Sequence, residues 1–98
     1  MQFALICHDR PGALAERLAV RNLHLSGVVD LKREGRIIEG GAILDAEGNM
    51  AGSVVLCDFP DRAALDAYLE SEVYVRNKVW ETVEVLSVRL VQWEAIEC

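Results

Sequence analysis

The sequence has few of the features that mark metal, redox or phosphate chemistry. It holds three cysteines without a CxxC pair, and two histidines without HxH or HxxxH spacing. The phosphate-binding patterns GxGxxG and the P-loop are absent, as is the GxSxG pattern of serine hydrolases. We therefore expect no metal ion, no cofactor and no disulfide framework.

Basic residues are also in the minority. There are 10 lysines and arginines against 16 acidic residues, for a formal net charge of −6. Nucleic acid and anionic membranes attract a basic patch, so we expect neither as a partner. No apolar run reaches the ~18 residues of a transmembrane helix. Residues 1–7 lack a basic stretch and a cleavage site, which predicts a strand instead of a signal peptide and, with the odd cysteine count, a reduced cytoplasmic protein.

The pattern of apolar residues predicts one domain over residues 1–98. The 52% hydrophobic and 27% charged composition is that of a globular protein. The predicted strands are 3–7, 36–44, 50–59 and 83–93, and the predicted helices open near Pro11 and Pro60 and run to about Arg33 and Glu70. A kink is expected near residues 20–22, and a bulge or a late start in the last strand. Residues 71–81 fit a turn, a short helix or part of a lid.

This order of elements, βαββαβ, is that of a ferredoxin-like α+β fold, an antiparallel sheet with both helices on one face. The third strand is apolar on both sides, because Val55 and Cys57 point one way and Val54 and Leu56 the other. Two helices cover only one face. The sequence therefore predicts a homodimer packed sheet to sheet, as in dimeric α+β barrels. The alternative is a monomer whose C-terminal tail folds back over the open face.

His24 and Asp9 are the candidate acid/base pair. On a helical wheel His24 lies at the border of the apolar stripe, and Asp9 ends the first strand just before the same helix. A carboxylate paired with an imidazole fixes its tautomer. A partly buried histidine and a helix-start aspartate are the structural alternatives. Arg17 and Arg21, one turn apart, could hold an anionic substrate, or they could be solvated and pair with Glu16, Glu34 or the partner chain.

Three segments of the chain resemble a known family. The run 9–25 carries an Asp, a Pro, an Arg-Leu pair, then an Arg and a His-Leu pair, and residues 34–41 (EGRIIEGG) and 52–56 (GSVVL) carry two strand motifs. In these it resembles the YCII-related, or YciI-like, family, with nearly the whole chain covered. The resemblance implies a dimeric ferredoxin-like protein and a site for acid/base chemistry centred on His24 and Asp9. One related branch of the family eliminates chloride from chlorinated hydroxyquinols.

The resemblance also implies pocket residues. Arg21 and Ser53 match positions that line or flank the family's pocket. The family commonly has Asp-Pro-Tyr or Asp-Pro-Phe before the last strand, where this chain has Ser-Glu-Val-Tyr at 71–74. Tyr74 stands in the aromatic place, whereas the Asp-Pro is missing.

Together these features predict a small enzyme that acts on a small polar or aromatic metabolite. His24 and Asp9 would be catalytic, and Arg21, Ser53 and Tyr74 would bind the substrate. The alternative is a non-catalytic module of the same fold that binds a small ligand or a protein.

Overall fold

The chain forms a four-stranded antiparallel sheet in the order β2-β3-β1-β4, with its helices packed on one face. A computed structural model describes residues 1–96. The elements are β1 (Gln2–Asp9), α1 (Leu14–Arg33), β2 (Ile37–Leu44), β3 (Met50–Asp58), α2 (Arg62–Ser71), α3 (Val73–Arg76), β4 (Trp80–Val88) and a 3-10 turn (Trp93–Ala95). The predicted ferredoxin-like α+β architecture is confirmed. No helix within these residues is both long enough and apolar enough to cross a membrane.

The register of the strands separates two faces of the sheet. Phe3, Leu5 and Cys7 of β1 are fully or almost fully buried against the helices, and Cys57 lies beside Phe3 on the same face. The residues between them face the other way. By register, this open face carries mostly apolar side chains: Ala4, Ile6, Val54, Leu56 and Leu86. The described helices do not cover it.

The first helix differs from its prediction at two points. It begins at Leu14 and not at Pro11, because Gly12 adopts a φ of 76°, which a right-handed helix excludes. It then runs unbroken to Arg33, without the kink expected near residues 20–22. The helix instead leaves Leu23 64% exposed. Gly35, with φ 77°, adopts the left-handed conformation that ends the helix, as expected.

The last strand lies earlier than predicted. It starts at Trp80, opposite Asp9, and ends at Val88, opposite Gln2. Beyond Val88 the backbone of β1 offers no further partner, so the apolar residues up to Trp93 do not extend the strand. The irregular register is between His8 and Asp9 in β1, near the start of β4. The apolar alternation in β4 changes because Val85 faces the helices and Leu86 the open side.

Gly52 is expected to be the glycine most sensitive to substitution. A Cβ at Gly52 would lie 2.3 Å from the carbonyl oxygen of Cys7, whereas one at Gly41, also in the sheet, would meet nothing within 4 Å. Gly52→Ala should therefore push β3 from β1 and lower the free energy of unfolding by about 3 kcal/mol. Gly41→Ala, the matched control, should change it by less than about 1 kcal/mol. Urea denaturation checks both, and equal effects would contradict the close approach.

Candidate active site

A cavity of about 490 Å³ lies between α1 and the half of the sheet formed by β2 and β3. One end of it carries polar side chains, from Arg17, Arg21 and His24 on α1 and Ser53 on β3. The remaining wall is mostly apolar, lined by Leu25, Val28, Val29, Ile37, Ala42, Met50 and Val55, and it also includes Lys32, Arg33 and Glu39. A concave apolar site with a few convergent polar groups is the usual form of a small-molecule site.

His24 is held in this cavity by the carboxylate of Glu72. Glu72 precedes α3, and its Oε1 accepts a hydrogen bond from Nδ1 of His24. The hydroxyl of Tyr68 donates to the other oxygen, Oε2, at 2.7 Å, and the backbone N–H of Tyr74 donates to Oε1 at 3.2 Å. Since Nδ1 is engaged, Nε2 is the nitrogen that His24 has free for a ligand.

The surroundings of Glu72 favour its charged form. Burial raises the pKa of this carboxyl, but the hydrogen bond and charge of His24, with the hydrogen bonds from Tyr68 and the Tyr74 N–H, lower it below its usual value. The Tyr68 pKa is raised, first by burial and then by the neighbouring Glu72 charge. Tyr68 therefore remains a hydrogen-bond donor, and Glu72 an acceptor that orients the imidazole.

Arg17 forms a second buried cluster with Asp9. Its Nη1 donates to both Asp9 oxygens, at 2.8 and 3.0 Å, and both side chains are about 95% buried. Its Nη2 donates to Ser53 Oγ at 2.7 Å, and the indole N–H of Trp80 donates to the same oxygen at 3.2 Å. The Nε of Arg17 is buried, and no described residue accepts its proton. Arg17 thus links α1 to β1 and β3, and Ser53 links β3 to β4.

Tyr74 connects the two clusters. Its ring is stacked on the imidazole of His24, with centroids 3.8 Å apart and planes 11° from parallel. The guanidinium carbon of Arg17 lies 4.7 Å from the centroid of the same ring. This stacking fixes the plane of the imidazole and places a cation against the aromatic ring. His24 is therefore constrained in both position and tilt.

The structure brings four of the five predicted site residues together. His24, Arg21, Ser53 and Tyr74 all line the cavity, and Asp9 does not. No hydrogen bond or ion pair joins Asp9 to His24. The expected direct pairing is corrected, because the Asp9 carboxylate is taken up by Arg17 and the imidazole by Glu72.

Sequence reasoning missed Glu72, and gave Arg17 only as one of two arginines that could hold an anion. The signal for Glu72 was present: it stands two residues before Tyr74, where the resembled family has the Asp of its Asp-Pro-Tyr motif. Glutamate keeps the carboxylate and adds one methylene. Tyr68 and Trp80 carried no signal beyond their apolar character.

Two of the cysteines are core residues. Burial raises the pKa of the Cys7 thiol to about 12 and that of Cys57 to about 11. Both remain protonated thiols near neutral pH, which agrees with their predicted role in the core. Cys98 lies outside the described residues.

The fold and the cavity define a small ferredoxin-like α+β protein with a buried imidazole–carboxylate pair. The model of the YCII-related domain matches residues 1–89. The chain belongs to the YCII-related family.

Relatives and solved structures agree with this assignment. Protein YciI of Escherichia coli is 30% identical over 91 residues, covering 87% of this chain and 93% of that protein. An uncharacterized protein of Haemophilus influenzae is 36% identical over 86 residues, covering 76% and 88%.

Two solved structures share the fold. The 5-chloro-2-hydroxyhydroquinone dehydrochlorinase of Burkholderia phenoliruptrix, solved with 2,5-dihydroxybenzoquinone, superposes with a TM-score of 0.85 at 22% identity, over 95% of this chain and 98% of that one. An antibiotic biosynthesis monooxygenase has a TM-score of 0.53 at 16% identity, over 92% and 97%.

Proposed function

We propose that the protein is a small enzyme that moves a proton on a small polar or aromatic metabolite, with His24 as the acid/base. The observation that carries this proposal is the imidazole of His24, held by Glu72 and Tyr74 at the polar end of a cavity. The buried carboxylate fixes the tautomer of the imidazole and the stacked ring fixes its plane, and both are what an acid/base residue requires.

The chemistry follows from which nitrogen is occupied. With Nδ1–H donating to Glu72, the lone pair of Nε2 takes a proton from the substrate, and the resulting imidazolium lies against a carboxylate that stabilises it. The same Nε2–H then returns the proton. Arg21, Ser53 and Tyr74 surround the substrate, and Asp9 acts on the site through Arg17 by holding the guanidinium in place.

A solved structure of the same fold supports this class of reaction. That protein is named a dehydrochlorinase, and the loss of hydrogen chloride removes one proton and one chloride ion. An acid/base residue can take up that proton. The shared fold leaves the substrate of the present chain open, so the proposal is limited to proton transfer.

Proton exchange into substrates tests the proposal. Small hydroxylated and chlorinated aromatics that raise the melting temperature would be incubated with the protein in D₂O, with exchange and chloride release followed by NMR. We expect His24→Gln to lower the rate by a factor of ~10²–10⁴ and to change ligand affinity by less than about threefold. His8→Gln, at an exposed histidine outside the cavity, is the matched control. Ligands whose affinity falls in His24→Gln, but which show neither proton exchange nor chloride release, would support the alternative of a binding module.

We also propose that the protein is a homodimer joined through the open face of the sheet. Leu86 on this face is 43% exposed, and along the described part of the tail Val91 is 53% and Trp93 73% exposed. This favours a second copy over a folded-back tail. A stable interface removes about 800 Å² from each chain, and the open face of the sheet would supply this area.

Light scattering after size exclusion tests the dimer. The mass of one chain is 10.9 kDa, so a dimer is expected near twice that value at micromolar concentration. Leu86→Lys places a charge on the open face and is expected to give monomers. Leu23→Lys, at the more exposed of two exposed leucines of α1, is the control and should leave the dimer intact. A wild-type mass of one chain would contradict the proposal.

A further inference from the structure

The charges around the cavity differ from those of the chain as a whole. The chain carries a net charge of −6, yet four of its ten lysines and arginines line the cavity, against one of its sixteen acidic residues, Glu39. Such a local excess of cations attracts anionic ligands.

Only one of these cations has no partner within residues 1–96. The other three are each paired with a carboxylate: Arg17 with Asp9, Arg33 with Asp30 and Lys32 with Glu39. Arg21 is exposed, lines the cavity, and makes neither a hydrogen bond nor an ion pair with a described residue. The free charge of the cavity is therefore a single positive one, which matches a monoanion better than a dianion.

A second donor belongs to Arg17, which also lines the cavity. Arg17 is 97% buried, and its Nε–H has no acceptor. A buried donor left without a partner is unfavourable by about 1–3 kcal/mol, so such groups in folded proteins usually meet a ligand or a water molecule. Arg17 and Arg21 stand one helical turn apart on α1. Two guanidinium donors suit the two oxygens of a carboxylate.

Between this polar end and the charged residues Lys32 and Arg33 the wall is apolar. Leu25, Val28 and Val29 extend it along α1 for about two turns past Arg21, or about 12 Å. Val55 and Met50 face them from the sheet. A ligand that fills this space needs an apolar body attached to its charged group.

From these observations we infer that the cavity takes a carboxylate monoanion with an apolar aryl or alkyl body. Its carboxylate would lie between Arg21 and the Nε of Arg17, and its body along Leu25, Val28 and Val29. This places the charged group beside His24, so that carbon atoms next to it face Nε2. The inference names the ligand class of the site proposed above and rests on that proposed function.

A series of matched ligands tests this inference by calorimetry. The probes are benzoate, phenylacetate, 3-phenylpropionate and 4-phenylbutyrate, each with its neutral amide. We expect each added methylene to raise affinity up to about fourfold, from a burial free energy of ~0.8 kcal/mol per methylene. Each amide should bind at least tenfold more weakly than its carboxylate. In ¹H–¹⁵N spectra the Arg17 Nε–H signal should shift on addition of carboxylate.

Two variants separate a specific anion site from general attraction. Arg21→Met should weaken the binding of the carboxylates at least tenfold and leave the affinity for the amides unchanged. Arg62→Met removes the same charge from α2, outside the cavity, and should change neither. Equal binding of acid and amide, equal effects of the two variants, or tighter binding of phenyl phosphate would overturn the inference.

The binding result and the proton-exchange result can fail separately. His24→Gln removes the base but neither guanidinium, so it should retain carboxylate binding within about threefold. Charge-selective binding without proton exchange would leave the ligand class standing and refute the proposed reaction. Proton exchange without charge-selective binding would support the proposed reaction and refute the ligand class.

Discussion

The variant Arg17→Met is expected to lower the free energy of unfolding by about 3–5 kcal/mol. Arg17 and Asp9 form a buried ion pair, and removing one partner leaves the other as an uncompensated charge. Ser53 Oγ loses a donor in the same change. For a domain whose total stability is about 5–15 kcal/mol, this is a large fraction.

Urea denaturation at neutral pH measures this effect, and two further variants interpret it. Arg62→Met breaks an exposed pair with Asp66 and should change the free energy of unfolding by less than about 1 kcal/mol. The double variant Arg17→Met with Asp9→Asn should recover part of the loss, because the unpaired charge is gone. If Arg17→Met lowered the free energy of unfolding no more than Arg62→Met does, the buried pair would not stabilise the fold as described.

The variant Glu72→Gln is expected to lower the free energy of unfolding at neutral pH by about 2–3 kcal/mol. Three donors converge on Glu72, from His24, Tyr68 and the Tyr74 backbone. A glutamine presents an N–H₂ group to one of these donors, which leaves buried groups unsatisfied. Glu70→Gln, on the exposed side of α2, is the matched control and should have an effect within about 0.5 kcal/mol.

The pH dependence gives this prediction a second readout. Because the folded pKa of Glu72 lies below the unfolded value of 4.5, its contribution to stability is fully present above 4.5. It is lost as the pH falls through the lower folded value. The difference between wild type and Glu72→Gln should therefore narrow below pH 4.5. A difference that stays constant into the acid range would contradict the lowered pKa.

The sequence predicted the fold well because its signals are local. Alternating apolar residues, Gly35 at a helix end and the polar stretch 45–49 each act over a few residues, and together they define the order βαββαβ. The boundaries that moved depend on distant partners. The end of β4 is set by where β1 begins, at Gln2, and the predicted strand continued past it.

The candidate site was predicted only in part, for the same reason. The helical wheel placed His24 at the edge of the apolar stripe, and the structure places it in the cavity. Its carboxylate partner comes from residue 72, in a segment whose pattern favoured no single element, and the contact spans 48 residues of sequence. The partner of Asp9 is Arg17, and sequence spacing does not tell which of Arg17 and Arg21 turns its guanidinium inward.

The wide spacing of the contacts has a consequence for synthesis on the ribosome. His24 emerges long before Glu72, and the indole of Trp80 that donates to Ser53 emerges later still. A nascent or truncated chain that stops before residue 72 therefore has the imidazole but lacks the carboxylate that orients it. The hydrogen bonds of His24 with Glu72 and of Trp80 with Ser53 can form only after residue 80 has left the exit tunnel, so a chain that stops earlier lacks at least one of them.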